Sequence, residues 1–222
     1  MCRIGRKIFF CAIVIMIVSV GVLAQQTQMP IRLGFDIDYP PFSFVDKAAP
    51  VGFDVDVVRE LNQYSQQKIE IVLDTWSIVQ ADLNTGKIDA VGGILYTEER
   101  AKIYDFTIPY NYEPAVVFIS KKTMANSIQD LQNKKLADIK GDPLAENILR
   151  NNGLLAVVDS DPTYTEVFFS LEKGKNDFTI VPYSLGMEII KKNGYNNVIS
   201  MGPNVATCQY RMAVKKREYR SC

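Results

Sequence analysis

Four short segments of this 222-residue chain carry side chains able to hold a small charged solute. The first is Asp36-Ile-Asp-Tyr-Pro-Pro-Phe42-Ser-Phe44, directly after a strand-like run. Loops leaving the carboxyl ends of parallel strands form the usual ligand crevice of α/β sheets. Two carboxylates and Tyr39 there suit a cation and an apolar group; the competing reading is a proline-stiffened surface turn with solvated Asp residues. Trp76, the only Trp, stands where a strand ending at Asp74 turns into a helix, either as a pocket wall or packed on its own helix. In Gly92-Gly93-Ile94-Leu95-Tyr96-Thr97-Glu98-Glu99-Arg100 the paired glycines let backbone approach a ligand, and Thr97 is placed to cap a helix whose free N–H groups attract an anion. Arg100 falls in that helix's first turn, where a cation opposes the macrodipole by about 0.3–1 kcal/mol. Charged hydrogen bonds to an anion, about 1.5–3 kcal/mol each, would more than offset that. The anion is either a ligand carboxylate or an internal acid, Glu98 or Asp105. Lys140-Gly141-Asp142-Pro143 mirrors this arrangement in the second half, with Asp142 a plain N-cap or a ligand contact.

Composition narrows the chemistry. The chain has no His, which removes histidine–zinc sites, Ser–His triads and most general-base catalysis at neutral pH. No catalytic residue, metal or cofactor is assigned. Met1–Ala24 has a basic start, an uncharged run from Ile8 and a Val-Leu-Ala end, the layout of a secretory signal peptide. The rival is an uncleaved anchor, but 17 residues are marginal for about 30 Å of hydrocarbon. No Cys follows Ala24, so no lipid anchor is expected there. Removing the leader takes away Arg3, Arg6 and Lys7 and leaves 22 basic against 25 acidic residues. That balance argues against nucleic-acid or anionic-membrane partners. Cys208 and Cys222 would remain, able to pair in an oxidising compartment but not forming a disulfide framework.

The candidate segments need a sheet behind them. Ile31-Arg-Leu-Gly-Phe35 reads as a strand, and Val57, Val58, Leu61 and Tyr64 share one helical face. Ile69 to Leu73 alternates as a strand, and a short helix from about Ser77 to Asn84 leads into the strand Ile88-Asp-Ala-Val91. This order implies an α/β fold with a largely parallel sheet under helices. Gly86-Lys-Ile-Asp89 reappears in kind as Gly174-Lys-Asn-Asp177, before an apolar strand from Phe178 to Val181. Gly closing a helix is common punctuation; the other reading is two similar α/β lobes in tandem. Ser127 with Asp130, and Thr163 with Glu166, have capping-box spacing, and Asp142-Pro143 places a proline at the first helical position. The run Ala115 to Ser120 suits a strand crossing between lobes. With no Gly/Ser linker, crossing strands rather than a tether would join them.

At these residues the chain resembles the type II periplasmic solute-binding proteins, in particular the family 3 group that binds amino acids. The matching strings are Asp38-Tyr-Pro-Pro-Phe-Ser-Phe44, Val51-Gly-Phe-Asp-Val-Asp56, Gly86-Lys-Ile-Asp-Ala90, Thr97-Glu-Glu-Arg-Ala-Lys102 with Asp105-Phe-Thr107, and Ile128-Gln-Asp-Leu131. The resemblance implies a two-lobed α/β fold, mixed sheets flanked by helices, with two crossing hinge strands. Lobe 1 would comprise residues 26–113 with 199–222, and lobe 2 residues 114–198. Arg100 would hold a ligand carboxylate, assisted along Gly93, Leu95 and Tyr96. Trp76 would stack on the ligand side chain, and Asp36 and Tyr39 would contact it from the first loop. Pro182 stands where the family often places an acid for the ligand's ammonium, and Asp142 and Pro143 replace its usual small hydroxyl residues, which makes Asp142 the candidate ammonium contact. The implied role is non-enzymatic: a periplasmic or extracytoplasmic receptor for an amino acid or organic acid, serving a membrane transporter permease. Lys140-Gly-Asp142, Met201-Gly-Pro203 and Arg211 to Lys215 also resemble the sensor domains of bacterial histidine kinases, so a signalling kinase is the alternative partner. Secreted dehydratases acting on arogenate-like acids are a third, enzymatic alternative. Ending at Cys222, the chain stops short of helices that the family adds, so the resemblance implies a truncated C-terminus.

Overall fold

The computed structural model describes residues 29–216; the leader and Cys222 lie outside the described residues. The chain runs β1 (Ile31–Asp36), β2 (Asp38–Tyr39), β3 (Ser43–Asp46), β4 (Ala49–Val51), α1 (Phe53–Tyr64), β5 (Ile69–Asp74), α2 (Trp76–Thr85) and β6 (Ala90–Leu95). A 3-10 turn (Arg100–Lys102), β7 (Tyr104–Phe106), β8 (Asn111–Ser120), a second 3-10 turn (Ile128–Leu131), β9 (Lys135–Ile139) and α3 (Leu144–Asn151) follow. The chain continues through β10 (Val157–Asp161), α4 (Tyr164–Lys173), β11 (Phe178–Pro182), α5 (Tyr183–Asn193) and β12 (Val198–Lys215). The main sheet has the order β10-β9-β11-β8-β12-β6-β1-β5, with β7 also on β12; β2, β3 and β4 form a small separate sheet. It is therefore a mixed α/β structure, a large mixed sheet flanked by helices.

Its two ends are parallel and its centre is antiparallel. β5, β1 and β6 are parallel neighbours, as are β10, β9 and β11, while β8 and β12 pair antiparallel between the two sets. β11 is buried at all five positions, the continuous apolar run expected of a strand covered on both faces. Ala115 to Ser120 of β8 are buried in the same way. β12 spans 18 residues because its register shifts between Met201 and Ala206, letting one strand serve both ends of the sheet.

The two ends are also built alike in detail. Gly86 and Gly174 both close their helices in the left-handed conformation, with φ of 76° and 67°. After each comes an Asp that ties its turn to the first strand of its own half. Asp89 N–H donates to Arg32 O at 2.9 Å, and Asp89 Oδ2 accepts Arg32 N–H at 2.8 Å. Asp177 does the same with Lys135, at 2.9 Å in both directions. Helix punctuation alone would not reproduce this reciprocal pair.

Several local expectations change. On α1 the buried residues are Asp54, Val55 and Val58, while Leu61 and Tyr64 are exposed. The strand expected at Ile88 begins at Ala90 and takes in both Gly92 and Gly93, so these are sheet residues and not a loop. Gly92 is required there because a Cβ would meet Phe35 Cε1 at 2.1 Å. Ser127 caps a short 3-10 turn instead of an α-helix, and Thr97 accepts the Arg100 N–H ahead of another 3-10 turn whose cap residue is Glu99. α3 starts one residue later than expected, with Pro143 at the cap.

Candidate functional site

The site forms where chain leaves the carboxyl ends of β1, β5, β6 and β9. At the end of β6, Leu95 leads into the turn at Thr97, whose hydroxyl accepts the Arg100 N–H at 3.1 Å. That bond sends the Arg100 side chain back under the strand end. Its Nη1 donates to Leu95 O and its Nη2 to Gly141 O, each at 3.0 Å. The guanidinium lies 5.6 Å from the Trp76 ring centroid, within cation–π range. Arg100 is only 8% exposed, yet no described carboxylate forms an ion pair with it. Glu98 accepts from the Tyr96 hydroxyl, and Asp105 lies beside Lys216. The internal-acid reading therefore fails for both candidates. Burial lowers the Arg100 pKa, and the charge of Asp142 opposes that shift.

Seven of the eight candidate residues line one hollow with Arg100 in its wall: Asp36, Tyr39, Trp76, Gly93, Leu95, Arg100 itself and Asp142. The space between the wall atoms, mouth included, is about 340 Å³, but only about 20 Å³ admits the centre of a water-sized sphere, room for about one water. Asp36 is nearly buried at the end of β1. Burial pushes its carboxyl up to about 7; the Asp38 amide opposes the shift and the charges of Asp38, Asp142 and Asp74 add to it. Tyr39 pairs its hydroxyl with that of Tyr210 at 2.8 Å. Trp76 is buried, and its Nε1 has no hydrogen-bond partner. Asp142 Oδ1 accepts the Leu144 N–H at 3.1 Å, a capping role, while Oδ2 accepts the Tyr164 hydroxyl at 2.9 Å. Asp142 thus bonds the start of α3 while lining the hollow.

Two expectations need correction. Gly93 reaches the hollow, but its N–H is not free, because it donates to the Tyr110 hydroxyl at 2.9 Å. Tyr110 in turn donates to Asp54, a buried carboxyl pushed up to about 6 by desolvation. Tyr96 stays outside the hollow, half-exposed with its ring beneath the Arg211 guanidinium at 4.9 Å. Tyr96 lies just past the end of β6, where the strand no longer fixes its direction.

Ser43 and Gly92, which fall within the candidate segments without being singled out as site residues, and Tyr164, which the sequence reading missed, also line the hollow. Ser43 is committed to the Asp36 carbonyl at 2.8 Å. Tyr164 was within reach of sequence reasoning: the Thr163 cap fixes the start of α4, and Tyr164 is that helix's first residue. Among the described residues no His, Cys, Asp and Glu cluster is placed to hold a metal ion, and no helix is long and apolar enough to cross a membrane.

Two sets of parallel strands, linked by central antiparallel strands and opening on one charged hollow, define the two-lobed fold of periplasmic binding proteins. A histidine kinase sensor domain with similarity to periplasmic binding proteins superposes with a TM-score of 0.78 and 28% identity, covering 87% of this chain and 86% of that one. The arginine-bound form of truncated ArgBP from T. maritima superposes with a TM-score of 0.72 and 28% identity, covering 84% and 88%. The chain belongs to the bacterial extracellular solute-binding proteins, family 3, whose model matches residues 31–218. A relative from Haemophilus influenzae, named "Probable amino-acid ABC transporter-binding protein", is 34% identical over 123 residues, 54% of this chain and 45% of its own. The match thus spans less than half the length of that relative. Its relatives are solute-binding proteins and not enzymes.

Proposed function

We propose that this protein is an extracytoplasmic receptor, without catalysis, for an amino acid bearing a cationic side chain, of which arginine is the type. The observation that carries this reading is the Arg100 guanidinium, nearly buried without an ion pair. Of its five N–H donors, two are used on carbonyls. A ligand carboxylate would take two of the others as a fork, the arrangement guanidinium favours. Asp142 would take the α-ammonium, in the place that Pro182 leaves unfilled. Asp36 would take the side-chain cation against the face of Trp76. One cation and two carboxylates in the wall complement a ligand with one anionic and two cationic groups. The T. maritima neighbour solved with arginine bound supports the same class of ligand.

Capture would work by closure of two lobes, residues 26–113 with 199–222 and residues 114–198, hinged on β8 and β12. Residues 1–24 would direct export, and a membrane transporter permease would receive the ligand. The kinase sensor domain among the structural neighbours supports a second reading, in which a signalling kinase reads the closed form. Titration calorimetry of the purified protein against the amino acids and common organic acids tests the proposal. Binding confined to arginine, lysine or ornithine supports it, and a folded protein that binds none of the panel refutes it.

A further inference from the structure

Away from the hollow, a charged hydrogen-bonded contact joins the two ends of the molecule, and the Lys192 ammonium lies 5.6 Å from the Phe44 ring centroid. Asp38 lies in β2, and its own N–H donates to Asp36 Oδ1 at 2.8 Å. Its carboxylate reaches the start of α4. Asp38 Oδ2 accepts the Thr165 N–H at 2.6 Å, and Oδ1 accepts the Thr165 hydroxyl at 2.9 Å. The Thr165 N–H is one of the first-turn donors that no helix satisfies from within. The N-cap of α4 serves Glu166 instead, since the Thr163 hydroxyl accepts the Glu166 N–H at 3.3 Å. A carboxylate at Thr165 is favoured both as a charged acceptor and by the helix dipole. Next to it Tyr39 packs on Tyr164 with ring centroids 5.1 Å apart. Neither Asp38 nor Thr165 lines the hollow. Two further polar contacts between the halves converge on Gly141 O, from Gln80 at 3.3 Å and from Arg100, which is itself a hollow residue, and Ser184 donates to Glu113 at 2.7 Å beside β8.

We infer that Asp38 is a positioning residue for capture: with the first turn of α4 it forms a latch that holds the lobes closed without touching the ligand. This rests on the two-lobed receptor reading above. When the cleft opens, Asp38 returns to water and Thr165 loses its acceptor, so the contact stabilises the closed form alone. A contact made only after closure acts on escape and not on encounter.

Asp38→Ala removes the carboxylate but keeps the backbone N–H that orients Asp36, and Thr165→Val removes one of the two donors. Stopped-flow kinetics with L-arginine should show koff rising about tenfold or more in Asp38→Ala and by a smaller factor in Thr165→Val. In both, kon should not fall, and the double variant should release ligand no faster than Asp38→Ala alone. Small-angle scattering reads the latch without ligand: ligand-free Asp38→Ala should have a larger radius of gyration than wild type. An unchanged koff, or a lowered kon with koff retained, overturns the latch. If wild type binds no amino acid the receptor reading fails instead, and equal radii of the two ligand-free proteins then overturn the latch on their own.

Discussion

Replacing Arg100 by Ala should abolish tight capture of L-arginine while leaving the fold intact. Three guanidinium N–H donors remain once Leu95 O and Gly141 O are served, and a carboxylate fork uses two of them. At about 1.5 kcal/mol for each charged hydrogen bond, the low end of the range, the fork is worth about 3 kcal/mol. Each 1.4 kcal/mol is a factor of ten, so Kd should rise at least about 100-fold. Arg100→Lys keeps the charge but not the fork and should fall between the two. Agmatine, which is arginine without its carboxylate, supplies the internal control, because its affinity should change little between wild type and Arg100→Ala. The variant also loses the bonds to Leu95 O and Gly141 O and the contact with Trp76, so its melting temperature should fall, and a cooperative melt above the assay temperature is required of it. Calorimetry with both ligands and a thermal melt complete the assay. If Arg100→Ala binds L-arginine within about threefold of wild type, the guanidinium is not the carboxylate anchor and the receptor reading loses its support.

Acidification should weaken capture while stabilising the ligand-free protein. Asp36 is raised from 3.8 to about 7 and Asp54 from 3.8 to about 6, so between pH 4 and pH 7 the folded state binds more protons than the unfolded chain. Stability from these groups is present at low pH and lost as pH rises through 6 and 7; melts from pH 5 to pH 8 should show it, and Asp36→Asn should flatten the curve. Arginine binding near pH 6.5 should release a proton as Asp36 ionises, seen as a calorimetric heat that varies with buffer ionisation enthalpy. Gly92→Ala should destabilise by about 1–3 kcal/mol through overpacking against Phe35, read as a lower denaturation midpoint with an unchanged slope. Cys208 is 2% exposed and its thiol is pushed up to about 12, so mass-mapped alkylation should modify it only after unfolding.

What the sequence made legible is what local chemistry dictates. The turn glycines Gly86 and Gly174, the Thr163 cap and the apolar run of β8 each announce themselves through backbone geometry or burial of one short segment. Arg100 was legible because a cation at the start of a turn lacks an evident local partner. The failures lie where the deciding contact is remote. Nothing within β6 says that its glycines sit in a sheet; Phe35, from β1, fills the space a Gly92 side chain would occupy, and Asp54, from α1, is the near neighbour at Gly93. The claim on the Gly93 amide comes from Tyr110, 17 residues away, and that tyrosine is held by Asp54 on α1. The aliphatic spacing of Leu61 and Tyr64 predicts a buried face, but burial ends at Val58 because the core beneath α1 is the small cluster Leu33, Phe35 and Val58.

On the proposed reading, the Gly141 carbonyl would couple ligand recognition to closure through the Arg100 side chain. Gly141 has a φ of +87°, in the left-handed region, and a Cβ there would meet Gln80 Nε2 at 2.5 Å. A glycine at this turn lets the chain between β9 and α3 present its carbonyl to both Gln80 and Arg100. Arg100 is thus held by one carbonyl from its own strand, Leu95, and one from the opposite end of the sheet. A guanidinium held only by its own strand could bind a carboxylate equally well with the cleft open. Held from both sides it is fixed in place only when the cleft is closed, and a fixed fork loses less rotamer freedom when it takes a carboxylate. On the proposed receptor reading, affinity for the ligand's anionic end would therefore depend on the position of the opposite half, the differential interaction that a closure-coupled receptor requires.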